Sequence, residues 1–326
     1  MKIFINYRTT DEPWGGVNSF IKSFQKYIIE NRKDIQVVSK IDDDFDILLI
    51  AASYYAPSKE ISVNDLKKIL SSRNNIINKL LKKRQFKFVE RLDGLRAIYN
   101  NEFIPNDKIQ IELSQLADHI IFQSAFSLNN FQQFGYQKMN YSIICNGVDQ
   151  NIFNVKNRSY YKKGKIKILS ISWSTNLKKG FQTIADFSTH PEVESNFIGR
   201  WNDEINPKNV KIIPPKKHDM LSNYYKECDI FLHPAINDFC PNVVLEAMSC
   251  GLPIIYSNTG GTPEIASQYG ISLPETMTAD SIEEVVTAIK QQYQELTQRL
   301  VNDANNFSIQ TVADKYISSF QSILKK

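Results

Sequence analysis

DIFLHPAINDFCPNVVLEAMSCGLPIIYSNTGGTPEI, residues 229–265, reads as strand, loop, helix, strand, loop and helix. Strands at Asp229–Leu232 and Pro253–Tyr256 flank a helix over Pro241–Cys250, the order of a βαβ unit in a parallel sheet. Two carboxylates, Asp238 and Glu246, stand eight positions apart around the helix start. Ligands of open α/β sheets bind outside the carboxyl ends of the strands, where this loop lies. Pro241 suits the first helical turn because its missing N–H would have no partner there. The amides of Asn242, Val243 and Val244 then point out of the helix start, where the positive end of the helix dipole favours an anion such as phosphate. Glu246 repels phosphate, but its carboxylate can accept hydrogen bonds from both hydroxyls of a diol, with ribose the natural candidate. The plainer alternative is a loop cap at Asp238 and a solvated helix carboxylate at Glu246.

The alternation continues on both sides. Upstream, strands are expected at Ile166–Ser172, Asn196–Gly199 and Val210–Ile213, with helices near Gly180–Ser188 and Asp219–Cys228. In the first half, apolar runs at Ile3–Tyr7, Ile35–Val38, Phe45–Ala51, Phe86–Leu92, His119–Gln123 and Tyr141–Cys145 predict a second parallel sheet. Val17, Phe20, Ile21, Phe24 and Ile28 recur at helical spacing and define a face that packs on it. The polar, basic stretch Asn151–Lys165 interrupts the pattern and reads as an interdomain linker. Two helices close the chain, the last carrying Val312, Tyr316, Ile317, Phe320 and Ile323 on one face. The expected domains are residues 1–155, completed by a helix over 308–326, and residues 156–307.

A chain of 326 residues suits two such domains. With 42% hydrophobic and 23% charged residues, disordered and fibrous classes are excluded. A formal charge of +4 is too small to imply a nucleic-acid partner. No apolar run reaches the roughly eighteen residues of a membrane span, and the opening MKIFINYR lacks a signal peptide's apolar region. A cytoplasmic protein is expected, or one held peripherally at the inner membrane surface. Asp65–Arg84 has a helical period, with an apolar stripe opposite a basic face that packs on the first sheet or docks on anionic lipid. The four cysteines form no CxxC pair and are expected to be reduced thiols. The four histidines lack metal-ligand or nucleophile spacing, and His233 alone ends a strand beside the Asp238 loop.

The 229–265 segment resembles the retaining glycosyltransferases of family 4. Their hallmark is Glu, seven residues, Glu, then Ala-Met-x-x-Gly-x-Pro and a Gly-Gly-x-x-Glu loop. This chain has Asp238, seven residues, Glu246, then Ala247, Met248, Gly251 and Pro253, then Gly260, Gly261 and Glu264. The departure is Asp238, one methylene shorter than the glutamate of the pattern. The resemblance implies an α/β protein of the GT-B fold, two Rossmann-like doubly wound domains facing a central cleft.

Further segments carry the same resemblance. Pro13-Trp14-Gly15-Gly16-Val17 is similar to the family's N-terminal glycine loop, where glycines let the backbone approach a diphosphate or sugar, although a plain strand-to-helix turn reads equally well. Arg91 and Asp93 in VERLDG stand where the family carries acceptor-side residues, and a structural ion pair is the alternative. Asn146-Gly147-Val148-Asp149 matches a signature that leads relatives into the linker. In Ser172–Phe181, Lys179 and Gly180 match the family's Gly-Arg-Leu-x-x-x-Lys-Gly, while Ser174 replaces its arginine. Half of the charge that normally neutralises the leaving diphosphate is then absent from this loop. Lys178 or Arg200 is a candidate to supply it, a solvated lysine face being the preferred reading of Lys178, and Asn176 and Cys240 are counted with the donor-binding set.

The activity implied by the resemblance is transfer of a sugar, with retention, from a nucleoside diphosphate sugar to a hydroxyl of a glycan or lipid-linked acceptor. Asp238 is expected to orient the sugar, and Lys179 with the amides of Val243 and Val244 to stabilise the leaving diphosphate. No metal and no cofactor are expected, Asp42-Asp43-Asp44 being read as a solvated run. Epimerases and phosphorylases of the same fold lack the Asp238–Glu264 pattern. A non-catalytic sugar-nucleotide-binding protein is the other reading, prompted by Asp238 and Ser174.

Overall fold

The computed structural model describes residues 1–10, 15–40, 44–51, 62–73, 86–100, 104–137 and 139–325. They divide into two compact units, 1–145 with 312–326, and 146–311. The first runs β1 (Lys2–Asn6), α1 (Gly16–Asn31), β2 (Gln36–Val38), β3 (Ile47–Ala51), α2 (Val63–Arg73), β4 (Lys87–Leu92), α3 (Arg96–Asn100), α4 (Pro105–Ser114), β5 (His119–Phe122), α5 (Ala125–Gln133) and β6 (Tyr141–Ile143). Its strands are all parallel, in the order β2-β1-β3-β4-β5-β6. All five residues of β3 are buried, the continuous apolar run expected of a strand covered on both faces.

Phe20, Ile21, Phe24 and Ile28 of α1 are fully buried, as their spacing predicts, whereas Val17 is only half-buried and Asn18 takes a buried place. The helix Ile309–Leu324, assigned to this unit from Val312 onward, sets Tyr316 against Phe20 and Phe24, each ring pair 5.4 Å apart. Leu66 and Leu70 of α2 are buried in the first core, while the rest of the expected 65–84 helix, beyond Arg73, lies outside the described residues. No described helix is long and apolar enough to cross a membrane.

The second unit runs β7 (Ile166–Ser172), α6 (Phe181–Phe187), β8 (Val193–Gly199), β9 (Lys211–Ile213), α7 (Leu221–Glu227), β10 (Ile230–His233), α8 (Asn242–Ser249), β11 (Ile254–Ser257), α9 (Thr262–Ala266), β12 (Gly270–Leu273) and α10 (Ala279–Asp303). Its order is β12-β11-β10-β7-β8-β9, all parallel. Counted within the unit this is the dinucleotide-fold order, and the direction of strand addition reverses between β7 and β10. The first unit instead reverses between β1 and β3, so the two sheets share a class but not a strand order. The edge strand β12 has no counterpart among the strands expected from sequence. It is four residues long and begins at Gly270, where a side chain would meet the carbonyl of Ile254 on β11.

The stretch 151–165, which reads as a linker, is packed within the second unit. Phe153 is fully buried. The buried Arg158 guanidinium donates to the carbonyls of Cys250, Gly251 and Asp229 and to the Tyr293 hydroxyl. These carbonyls lie at the end of α8 and the start of β10, so the basic residue answers orphaned acceptors of the core. By contacts the division therefore falls at 145/146, ten residues before the position the composition suggests.

Phe153 also meets His218 and Tyr225 edge-on, with centroids at 5.0 and 5.9 Å. Phe153→Ala is expected to destabilise the second unit by about 3–5 kcal/mol through the cavity it leaves, read as an earlier urea midpoint of that unit's unfolding transition.

Candidate active site

The reversal between β7 and β10 opens a place for a ligand beyond their carboxyl ends, Ser172 and His233. After β7 the chain folds on its own polar side chains. Ser172 Oγ donates to the Ser174 carbonyl at 2.7 Å, Ser174 Oγ accepts from the Asn176 amide at 3.2 Å, and Asn176 Oδ1 accepts from the Lys178 amide at 2.9 Å. A 3₁₀ turn over Leu177–Lys179 follows and ends at Gly180 in the left-handed region, φ 77°. A Cβ there would lie 2.7 Å from Pro234, which follows β10. Only glycine lets the two loops touch, and the touching sets Lys179 Nζ 2.8 Å from Asp238 Oδ2.

The next loop clamps Asp238 from the other side. Asn237 has φ 58°, and its amide donates to Thr259 Oγ1 at 3.1 Å. Gly261 N–H donates to the Asp238 carbonyl at 2.7 Å. Gly260, φ 75°, comes so close that a Cβ would sit 2.5 Å from that carbonyl oxygen. The Gly-Gly pair seen in the sequence thus serves to let one backbone press on another. Burial alone would push the Asp238 carboxyl up, but the Lys179 ammonium and the neighbouring His233 ring together reverse this and hold it well below the usual carboxylate range.

Glu246 lies in α8 with its side chain 4% exposed. His218 Nε2 is 2.8 Å from its Oε1, and the Tyr225 hydroxyl donates to its Oε2 at 3.0 Å. Burial, then the neighbouring Glu246 carboxylate, push the Tyr225 hydroxyl well up, so it remains a donor. At the helix start, Asn146 Nδ2 donates to Asn242 Oδ1 at 2.7 Å, and the Asn146 amide approaches Cys240 Sγ at 3.4 Å. Asn146, which in the sequence marks the way into the linker, thus braces this end of α8. Of the amides expected to point outward, that of Val244 turns back to the Pro241 carbonyl at 3.1 Å, because Pro241 is the cap and Val244 already closes the first turn. Among the described residues the Val243 N–H makes no such backbone bond.

This arrangement can be set beside known proteins. Residues 184–307 match the family described as glycosyl transferases group 1. The matched span contains Asp238, Glu246 and the 259–261 loop, while Lys179 lies just before it. A D-inositol 3-phosphate glycosyltransferase of Mycobacteroides abscessus is 27% identical over 113 residues, which is 34% of this chain and 26% of that relative. The match thus spans about a quarter of the relative's length.

Among solved structures, sucrose-phosphate synthase from Thermosynechococcus elongatus superposes with a TM-score of 0.69 at 13% identity, covering 99% of both chains. Anabaena Alr3699/HepE, in complex with UDP and glucose, gives 0.67 at 15% identity, over 99% of this chain and 100% of that one. At such identities the likeness is one of fold, and that fold is GT-B.

The remaining candidates fall in different surroundings. Arg200 follows Gly199, its amide donating to the Ser172 carbonyl at 3.0 Å, and its exposed side chain enters no ion pair among the described residues. Gly15 caps α1 with φ 26° and has nothing within 4 Å of a would-be Cβ. Asn18 exchanges two hydrogen bonds with the Thr10 backbone, at 2.9 and 3.0 Å, and so ties Thr10 to the first turns of α1 that follow Gly15 and Gly16. Pro13, Trp14, Asp42 and Asp43 lie outside the described residues. Arg91 is fully buried, its guanidinium 4.6 Å over the Phe20 ring and paired with Asp93, whose Oδ1 also accepts from Gln123 Nε2 at 2.9 Å. The sequence offers no sign of His218 or Tyr225, which meet Glu246 from 28 and 21 residues away.

Gly260→Ala adds a Cβ against the Asp238 backbone and a strained φ worth about 1–3 kcal/mol; a lowered melting temperature is expected, and a crystal structure of the variant should show Asp238 displaced from Lys179. The ion pair also sets a pH signature. A carboxyl held low in the folded state stabilises fully above its ordinary value of 3.8, and the contribution fades as the pH falls from there through the depressed folded value. Wild type should therefore melt above Asp238→Asn near neutrality, and melting curves should converge below pH 3.8.

Proposed function

We propose that this chain is a retaining glycosyltransferase that moves a sugar from a nucleoside diphosphate sugar to a hydroxyl of a glycan or lipid-linked acceptor. The observation that carries this reading is the Lys179–Asp238 pair at the β7/β10 reversal, 2.8 Å long and beside an open helix start. An ammonium and a helix-start N–H sit where a leaving diphosphate would collect negative charge, and Asp238 lies within reach of the sugar attached to it. Breakage of the sugar–phosphate bond then meets donors already in place. With the acceptor on the same face, a diphosphate oxygen takes the acceptor's proton, and no carboxylate nucleophile is required.

Glu246 holds the ribose. His218 and Tyr225 occupy one site on each carboxylate oxygen, and an ionised carboxylate has about four, which leaves capacity for both hydroxyls of a diol. Arg200 supplies the second cation that Ser174 does not, while Ser174 and Asn176 shape the turn that presents Lys179. Gly15 and Gly16 allow close approach of backbone to the donor. On the acceptor side Asp93 meets the substrate, and the buried Arg91 orients Asp93. Neither a metal ion nor nucleic acid takes part, and an acceptor carried on lipid would bring the chain to a membrane surface. The bound UDP and glucose of the Anabaena structure support a nucleotide-sugar donor.

Lys179→Ala is expected to lower turnover by about 10²–10³-fold, measured as release of nucleoside diphosphate. Glu246→Ala should weaken donor binding by roughly 100-fold, measured by calorimetry; unchanged affinity would remove the ribose assignment. A thermal-shift panel of UDP-glucose, UDP-N-acetylglucosamine and GDP-mannose tests the donor class, and a chain that binds one of them without consuming it in the presence of acceptors is a binding protein instead.

A further inference from the structure

His233 is the last residue of β10 and is 5% exposed, its ring lying nearly parallel to Phe231 at 6.2 Å. Its Nε2 has no hydrogen-bond partner among the described residues and stands 3.7 Å from Asp238 Oδ2, just beyond bonding reach. Lys179 Nζ holds that same oxygen at 2.8 Å. Two groups able to carry positive charge therefore converge on one carboxylate oxygen, and one of them is bonded to it. A buried ring nitrogen left without a partner is uncommon, and here the carboxylate oxygen 3.7 Å away already accepts from Lys179.

On the proposed function, Lys179 turns toward the diphosphate. Asp238 is then a poorly solvated carboxylate whose counter-charge has moved, and such a group must be paired or neutralised. Resting on that donor-site reading, we propose that His233 is a positioning residue that takes a proton from solvent at Nε2 as the diphosphate draws Lys179 away, and so holds Asp238 against the sugar. A shift of about 1 Å turns the 3.7 Å approach into a charge-assisted hydrogen bond.

The charged groups that face the ring are Asp238, from the loop after β10, and Lys179, from the turn before α6. Burial and the lysine together hold the imidazole down, while Asp238 pulls the other way. Tyr256, its register partner on β11, stays neutral because burial pushes its hydroxyl up. When the lysine's charge moves off and the ring closes the 3.7 Å gap to Asp238, the lost repulsion and the new hydrogen bond together favour the protonated ring against burial. The folded complex then binds one more proton than the free chain, and donor affinity rises as the pH falls through the interval between the two His233 values, by up to about tenfold per pH unit.

The test is calorimetric titration near neutral pH, in two buffers of different ionisation enthalpy, with the panel nucleotide sugar that binds. These donors are diphosphate diesters and do not titrate there themselves. Wild type should take up close to one proton per donor bound. His233→Gln keeps an N–H for Asp238 and should retain turnover within about tenfold while losing the proton uptake and the pH dependence of affinity; His233→Phe should lose turnover as well. In Lys179→Met Asp238 has lost its lysine before the donor arrives, so on this proposal His233 already holds it and uptake on binding should vanish there too, which serves if the histidine variants fail to fold. Binding without proton uptake in wild type, or uptake that persists in His233→Gln or Lys179→Met, overturns the assignment and leaves the donor site standing. Failure of all three nucleotides to bind wild type overturns the donor site and His233's role with it.

Discussion

The ion pair between Lys179 and Asp238 joins two loops that the strand order alone brings together. Isolated pairs of this kind add little net stability, because desolvation of both charges offsets most of their attraction. Its importance is positional. The pair forms because Gly180 lets the β7 loop rest on Pro234 and because Gly260 lets the β11 loop rest on the Asp238 backbone. Each approach is closer than any Cβ permits. Three successive loops at the carboxyl edge of the second sheet are thus locked by backbone contact, with one carboxylate at their meeting point.

Glu246 is fixed by other means. Its partners come from outside α8: His218 from the turn after β9 and Tyr225 from α7. Phe153 packs against both rings, and Asn146 braces the start of α8. The chain from 146 to 165 is therefore part of the support of the candidate site. A buried carboxylate with a donor on each oxygen keeps its orientation before any ligand arrives, and this preorganisation lowers the cost of binding.

Much of this is legible in the residues. Apolar runs locate eleven of the twelve strands found among the described residues, and the spacing of Phe20, Ile21, Phe24 and Ile28 identifies a face that is indeed buried. Lys179, Asp238 and Glu246 stand out through motif spacing around one loop and one helix start. The hidden part depends on long-range pairing. A four-residue edge strand with two apolar residues, β12, carries no periodicity. The strand order of the first sheet is not written in any local pattern. Arg158 looks like one more basic residue of a polar stretch, and only the open carbonyls of α8 and β10 explain its burial. His218 and Tyr225 give no signal because the geometry that aims them at Glu246 arises from two separate elements. The amide of Val244 departs from expectation for a smaller reason, the cap falling at Pro241 itself.

Two departures from the sequence pattern meet at the same place. A serine at position 174 stands where the pattern carries an arginine, and an aspartate at 238 draws the carboxylate back by one methylene. The shorter side chain keeps its oxygen inside the protein, within 2.8 Å of Lys179 and 3.7 Å of His233. A glutamate carries its carboxylate one methylene farther from the backbone that Gly260 and Gly261 pin in place. On the proposed function one lysine is shared between Asp238 and the donor's diphosphate, and the charge balance of the site then falls on whichever neighbour stands next to the carboxylate. That neighbour is the imidazole at the end of β10.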